Sequence, residues 1–149
     1  MKSSKKTQLG IIFLTILINM VGFGIVIPVL PFYATDFGAK PSEIGWLFGI
    51  YSLVQFVFSP FIGQISDRFG RRPVLILSTL GTAAGFLVMG FSTTLAMLFV
   101  GRIIDGVSGG SVGTAQAYIA DITGPEERSK AMGLIGAAFG LGFIFGPAL

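Results

Sequence analysis

Long apolar runs separated by short polar clusters follow one another from Leu9 to the end of the chain. A helix rises about 1.5 Å per residue, so about 20 consecutive apolar residues cross the hydrocarbon of a bilayer. Five runs meet that length and predict helices over residues 8–33, 43–66, 73–91, 95–120 and 129–149. The connections between them are short: ATDFGAKPSE, SDRFGRR, STT and DITGPEER. Proline at position 73 suits the first turn of its helix, where no intrahelical donor is lost. Thr123 to Glu126 has the T-x-x-E form of a capping box for the last helix. The odd number of spans and the apolar end GFIFGPAL, with Pro147 close to it, predict a chain cut before a sixth helix.

Composition sharpens this reading. Hydrophobic residues make up 52% of the 149 and charged residues only 11%, against roughly a quarter in soluble domains. The mean hydropathy is +0.84. The 22 glycines and 15 phenylalanines suit packed membrane helices. The basic start followed by an apolar run has the look of a signal peptide. The run from Leu9 to Pro31 is longer than an h-region of about 7–15 residues and no A-x-A-like site follows, so it predicts an uncleaved span.

Lys2, Lys5, Lys6, Arg68, Arg71, Arg72, Arg128 and Lys130 fall on one side of the predicted spans and only Lys40 on the other. The positive-inside rule then predicts a multi-pass protein with a cytoplasmic N-terminus, and the plasma (inner) membrane is its expected location. The net charge of +3 lies in short groups between apolar runs, not on one solvated face, so no nucleic-acid partner is expected. With no cysteine and no histidine, disulfides, thiol nucleophiles and Cys/His metal sites are excluded within the chain. No catalytic cluster and no G-x-x-x-x-G-K-[ST] phosphate loop is present, so neither an enzyme nor a nucleotide-driven pump is expected.

Three groups of residues carry candidate chemistry. The first is GQISDRFGRRP, residues 63–73. Three arginines there serve as a topological anchor against anionic headgroups. Gly63, Asp67 and Gly70 are left over: Gly63 lets a helix approach, Gly70 allows a turn with φ > 0, and Asp67 at a helix C-terminus opposes the dipole and needs a partner. A packed switch explains them. Asp121 and Arg128, in the other basic connection, are candidates for the same network; a solvated loop is the alternative.

The second group is Arg102 and Asp105, three residues apart within the fourth span and so on one face. Charges at that depth cost several kcal/mol and persist with a partner or a wet cavity. They form either a static pair that staples the helix or a proton or substrate site. The third group is polar residues at membrane depth: Asn19, Gln55 and Gln116, each with an interhelical hydrogen bond as the alternative to a cavity role. Glycines four apart (81/85, 106/110, 109/113, 136/140, 142/146) permit close helix contact.

Residues 63–77 resemble the loop 2–3 signature of the major facilitator superfamily, G-x-x-x-D-R-x-G-R-R. GFGIVIPVLP (22–31), LFVGRIIDGVSGG (98–110) and GLGFIFGP (140–147) are similar to the helix 1, helix 4 and helix 5 signatures of its twelve-helix drug/proton antiporters. YIADITGPEER resembles the tetracycline antiporter branch. Asp105 stands where that family usually has glutamine, and the last glycines of the helix 5 signature are not reached.

The resemblance implies an all-α membrane fold: the first five helices of a twelve-helix transporter, an incomplete six-helix N-terminal bundle over residues 1–149. It implies proton-coupled efflux of drugs or small metabolites by alternating access, with the proton as coupling ion and no cofactor or metal. By the same token Gly63, Asp67, Arg68, Gly70, Arg71 and Arg72 form half of a conformational gate. Arg102 and Asp105 handle the proton, the carboxylate either carrying it or muting Arg102. Asn19 and Gln116 line the substrate cavity, with Phe23 for stacking. Gly140, Gly142, Gly146 and Pro147 shape a tight contact between the two halves. The partners implied are lipid, a small-molecule substrate and a C-terminal half. An importer of sugars or metabolites from the same superfamily, or a non-transporting membrane subunit, are the competing readings.

Overall fold

The computed structural model describes residues 4–148, so Lys2 and Leu149 lie outside it. Its helices are α1 (Lys5–Asp36), α2 (Pro41–Phe69), α3 (Arg71–Gly90), α4 (Leu95–Ser108), α5 (Ser111–Ile122) and α6 (Pro125–Ala148). Counting α4 and α5 together, five stretches among the described residues are long and apolar enough to cross a membrane. At about 1.5 Å per residue the 32-residue α1 is longer than the hydrocarbon is thick, so it tilts or emerges at an end.

The fourth span differs from its expected form. It is interrupted at Gly109–Gly110, where the sequence predicts an unbroken helix over 95–120. Two adjacent glycines have poor helix propensity. The Gln55 amide of α2 completes the break by donating to the Gly109 carbonyl at 2.8 Å. A Cβ at Gly109 would stand 2.9 Å from the Gln55 amide and one at Gly110 2.7 Å from Ile62, so a larger residue at either would force these side chains to move.

Two polar connections also prove to be mostly helix. Asp67 and Arg68 belong to the last turn of α2, and Arg71 and Arg72 to the first turn of α3. Gly70 alone joins them, with φ +99° in the region open to glycine. Asp121 ends up in α5 and Arg128 in α6, leaving only Thr123 and Gly124 between those helices. The capping box expected from Thr123 does not form. Its hydroxyl donates back to Ile119 O at 2.6 Å and so closes α5. Pro125 opens α6, with Glu126 and Glu127 in its first turn, where the dipole favours carboxylates.

α6 lies along α1, α3 along α4, and α4 also against α2. The core divides in two. Near the Gly70 end, Ile12, Ile16 and Met20 meet Leu75, Ala115, Ile119, Ala131, Ile135 and Ala138. Toward the Lys40 end, Leu30 and Ala34 meet Leu47, Met89 and Leu98. Asn19, Thr82, Arg102, Asp105 and Ser111, buried but outside both apolar clusters, give the interior a polar level. The outer faces carry large exposed apolar side chains, among them Phe32, Trp46, Phe56 and Phe91, as lipid contact requires. The molecule is an all-α, multi-pass membrane protein.

Candidate functional site

Close packing by α3 and α2 sinks Arg102 completely. Gly85 sits over the Gly101 carbonyl and Asp105, Gly101 packs on Met89, and Gly106 on the Tyr51 carbonyl. Small residues at these points let three backbones converge around one guanidinium. Arg102 is fully buried and the Asp105 side chain is 4% exposed. Arg102 Nη1 donates to Asp105 Oδ2 at 3.0 Å, and Nε donates to the Leu47 carbonyl of α2 at 3.2 Å. Its guanidinium carbon lies 4.2 Å from the centre of the Tyr51 ring and 5.7 Å from that of Phe48. Nη2 finds no hydrogen-bond partner among the described residues. The charge is therefore balanced by one carboxylate, one carbonyl and two ring faces, a combination that suits a dry site.

Asp105 also faces a cavity of about 390 Å³ at the polar level between the two cores. Asn19 and Phe23 of α1 line it, as do Tyr51 and Gln55 of α2, Thr82 of α3, and Ser111 at the start of α5. Asn19 donates to Thr15 O at 2.9 Å and approaches Thr79 Oγ1 at 3.5 Å. Phe23 packs against Tyr51 and Phe143, with ring centres 5.7 and 6.2 Å apart. Two of the three expected cavity residues, Asn19 and Phe23, thus meet Asp105 in one space. Gln116 does not: it is exposed on α5 and lines no part of this cavity. Gln55 combines both of its alternatives, lining the cavity and holding the broken turn. Tyr51 was missed in the sequence. Its spacing of four from Gln55 puts both on one face of α2, a legible signal.

At the Gly70 end, Arg71 gathers the charges. Nε donates to Asp121 Oδ2 at 2.9 Å, Nη1 donates to Ser66 Oγ at 3.2 Å, and Nη1 pairs with Asp67. Asp67 at the end of α2 and Arg71 at the start of α3 each oppose their own helix dipole. Their pairing across Gly70 offsets both. Arg128 stands apart from this network and caps carbonyls instead, donating to Ala120 O at 3.0 Å. Arg68 lies over the Phe69 ring. Arg72 borders a separate groove between α1 and α3, beside Gln8 and Tyr118. Gly63 has no atom within 4 Å of where a Cβ would stand. Lys5 of α1 pairs with Glu127 of α6.

The four residues of the α6 segment divide. Gly142 abuts the Met20 and Val21 backbone and Gly146 the Gly24 backbone, with Pro147 beside Gly24, so they join α6 to α1 within this bundle. Gly140 faces open space.

The chain has relatives in sequence and in fold. The chain is 41% identical to the class B tetracycline resistance protein of Escherichia coli, over 100% of this chain and 37% of that one. Multidrug resistance protein 2 of Bacillus subtilis (strain 168) is 38% identical over 97% of this chain and 36% of its own length. The crystal structure of the human organic anion transporter MFSD10 (TETRAN) superposes with a TM-score of 0.83 at 30% identity, covering 99% of this chain and 41% of that one. The chain spans little more than a third of the length of the curated relatives it matches. Residues 12–149 match the family model described as Major Facilitator Superfamily, and the chain belongs to that superfamily.

Proposed function

We propose that this chain supplies one half of a proton-coupled exporter of drugs or small metabolites that works by alternating access. The observation that carries the reading is the Arg102–Asp105 pair, buried at mid-span with its carboxylate on the same cavity as Asn19 and Phe23. The tetracycline and multidrug resistance relatives support drug export in particular. Asp105 is the proton acceptor. When it is charged, it neutralises Arg102. When it takes a proton, a buried cation is left without its counter-charge, and the helices around it gain a reason to rearrange. Asn19 hydrogen-bonds the cargo and Phe23 stacks on it. Gln116 contributes only where a C-terminal half closes over the exposed face of α5.

Alternating access needs two bundles that rock around a central site. Gly63, Asp67, Arg68, Gly70, Arg71 and Arg72, with Asp121, form the cytoplasmic gate on this side, and Arg128 ties down the connection next to it. Gly140, on the open face of α6, meets the second half. Gly142, Gly146 and Pro147 fix the position of α6. The N-terminus and the Gly70 end are cytoplasmic, in the plasma (inner) membrane, with anionic lipid against the basic groups. The protein is a carrier and not an enzyme.

Proton movement in inside-out vesicles tests the reading. The interior is made acidic and tetracyclines, quinolones and dyes are added to vesicles carrying the transporter. Proton release on addition of a compound, abolished by Asp105→Asn and by Arg102→Ala at equal protein level, is the expected result. Full proton-driven transport by Asp105→Asn would sink the proton role. Silence with every compound would overturn export and move the reading to import, tested by sugar and metabolite uptake.

A further inference from the structure

Arg102 is fully buried and is not among the residues that line the cavity, whereas its partner Asp105 is. Two side chains both interact with the guanidinium and line that space. One is Asp105, through its hydrogen bond. The other is Tyr51, whose ring face lies 4.2 Å from the guanidinium carbon and which packs against Phe23 across the cavity. We propose that Tyr51 is the positioning residue that transmits the presence of cargo in the cavity to the Arg102–Asp105 pair. The inference rests on the exporter reading above.

The physical basis is the ring. A cation over an aromatic face, away from water, is stabilised by the ring quadrupole. Arg102 depends on that stabilisation more than usual, because Nη2 has no hydrogen-bond partner among the described residues. Phe23 and Tyr51 are in ring contact, with centres 5.7 Å apart, so a flat cargo that displaces Phe23 on stacking also displaces the Tyr51 ring. Any shift of the Tyr51 ring changes how well the arginine tolerates losing the Asp105 charge. Cargo binding and protonation are then coupled in both directions, as linkage demands. The titratable groups facing the ring are Asp105 and Arg102 of α4; the neighbouring lining residues of α1 and α3, Asn19, Phe23, Thr82 and Phe86, carry no charge. The device uses the ring face and not the hydroxyl.

The test compares Tyr51→Phe with Tyr51→Leu in the complete transporter, with tetracycline as the probe. Binding is read by tetracycline fluorescence across a pH series, and coupling by protons released per tetracycline bound. Tyr51→Phe is expected to stay within about twofold of the unmodified protein. Tyr51→Leu is expected to bind tetracycline but release at least about tenfold fewer protons, with a flattened pH dependence of binding, the scale of a desolvated cation–π contact. Should the leucine variant be absent from the membrane, Tyr51→Met takes its place. Unchanged release from the leucine variant overturns the inference, and so does equal damage from phenylalanine, or loss of tetracycline binding itself. Those outcomes leave the exporter reading intact, which falls instead if the unmodified protein releases no protons with tetracycline or with any of the quinolones and dyes; the inference then falls with it.

Discussion

Removing one member of the Arg102–Asp105 pair leaves a buried charge or donor without its partner. Breaking a buried pair from one side costs about 3–5 kcal/mol, whereas replacing both members by apolar groups of similar size is often neutral. Asp105→Leu is therefore expected to lower thermal stability in detergent, and the double change Arg102→Met with Asp105→Leu to recover most of the loss. Melting curves by fluorescence-detected size exclusion check this. A double variant as unstable as the single one would mean that the pair contributes more than mutual compensation. Asp67 is a contrasting case, since its side chain is 65% exposed and its pairing with Arg71 is solvated. Asp67→Asn is expected to leave stability within about 1 kcal/mol while slowing transport at normal protein level. Unchanged transport would reduce the cluster to a topological anchor. The chemistry of both clusters was legible from residue type and spacing. The central place of Arg71 was not, because two carboxylates from different helices, Asp67 and Asp121, reach it only in the folded bundle.

At the scale of the element, glycines that look alike in sequence separate by what surrounds them. Gly140, Gly142 and Gly146 fall within one signature, but a Cβ at Gly142 would stand 2.3 Å from Met20 Cβ, and one at Gly140 would meet nothing within 4 Å. Overfilling a packed seam costs about 1–3 kcal/mol. Gly142→Ala is thus expected to destabilise the α1–α6 contact by that amount and Gly140→Ala to leave the melting temperature unchanged. Equal effects would mean that α6 sits differently against α1. The break in the fourth span makes a second prediction. Gln55→Leu removes the donor to Gly109 O and leaves a carbonyl without its partner, at a cost of about 1–3 kcal/mol, checked by the same melting curves.

For the whole molecule, the Gly70 end and the Lys40 end are chemically unlike, and basic residues set which one is retained in the cytoplasm. The chain contains no cysteine, so single cysteines report topology without background. Cysteine in place of Arg72 or Lys130 is expected to react with a membrane-impermeant maleimide only in inside-out vesicles. Cysteine in place of Lys40 or Thr93 is expected to react from outside intact cells. Reversed labelling would overturn the orientation and with it the cytoplasmic gate.

Hydrophobic length and charge placement by themselves determined that the chain crosses a membrane in five spans, where its polar connections fall and which residues bring charge to membrane depth. These properties are read from consecutive residues, because a bilayer imposes the same length on each span independently of the others. Only the tertiary structure decided that Arg102 and Asp105 form a pair beside a cavity, that Tyr51 stands between that cavity and the arginine, and that Gln116 lies elsewhere. It also decided that the fourth span breaks at Gly109, since two glycines permit a break and a glutamine 54 positions earlier completes it. Contacts between residues far apart in the chain depend on which helix faces meet, and a run of apolar residues does not specify that.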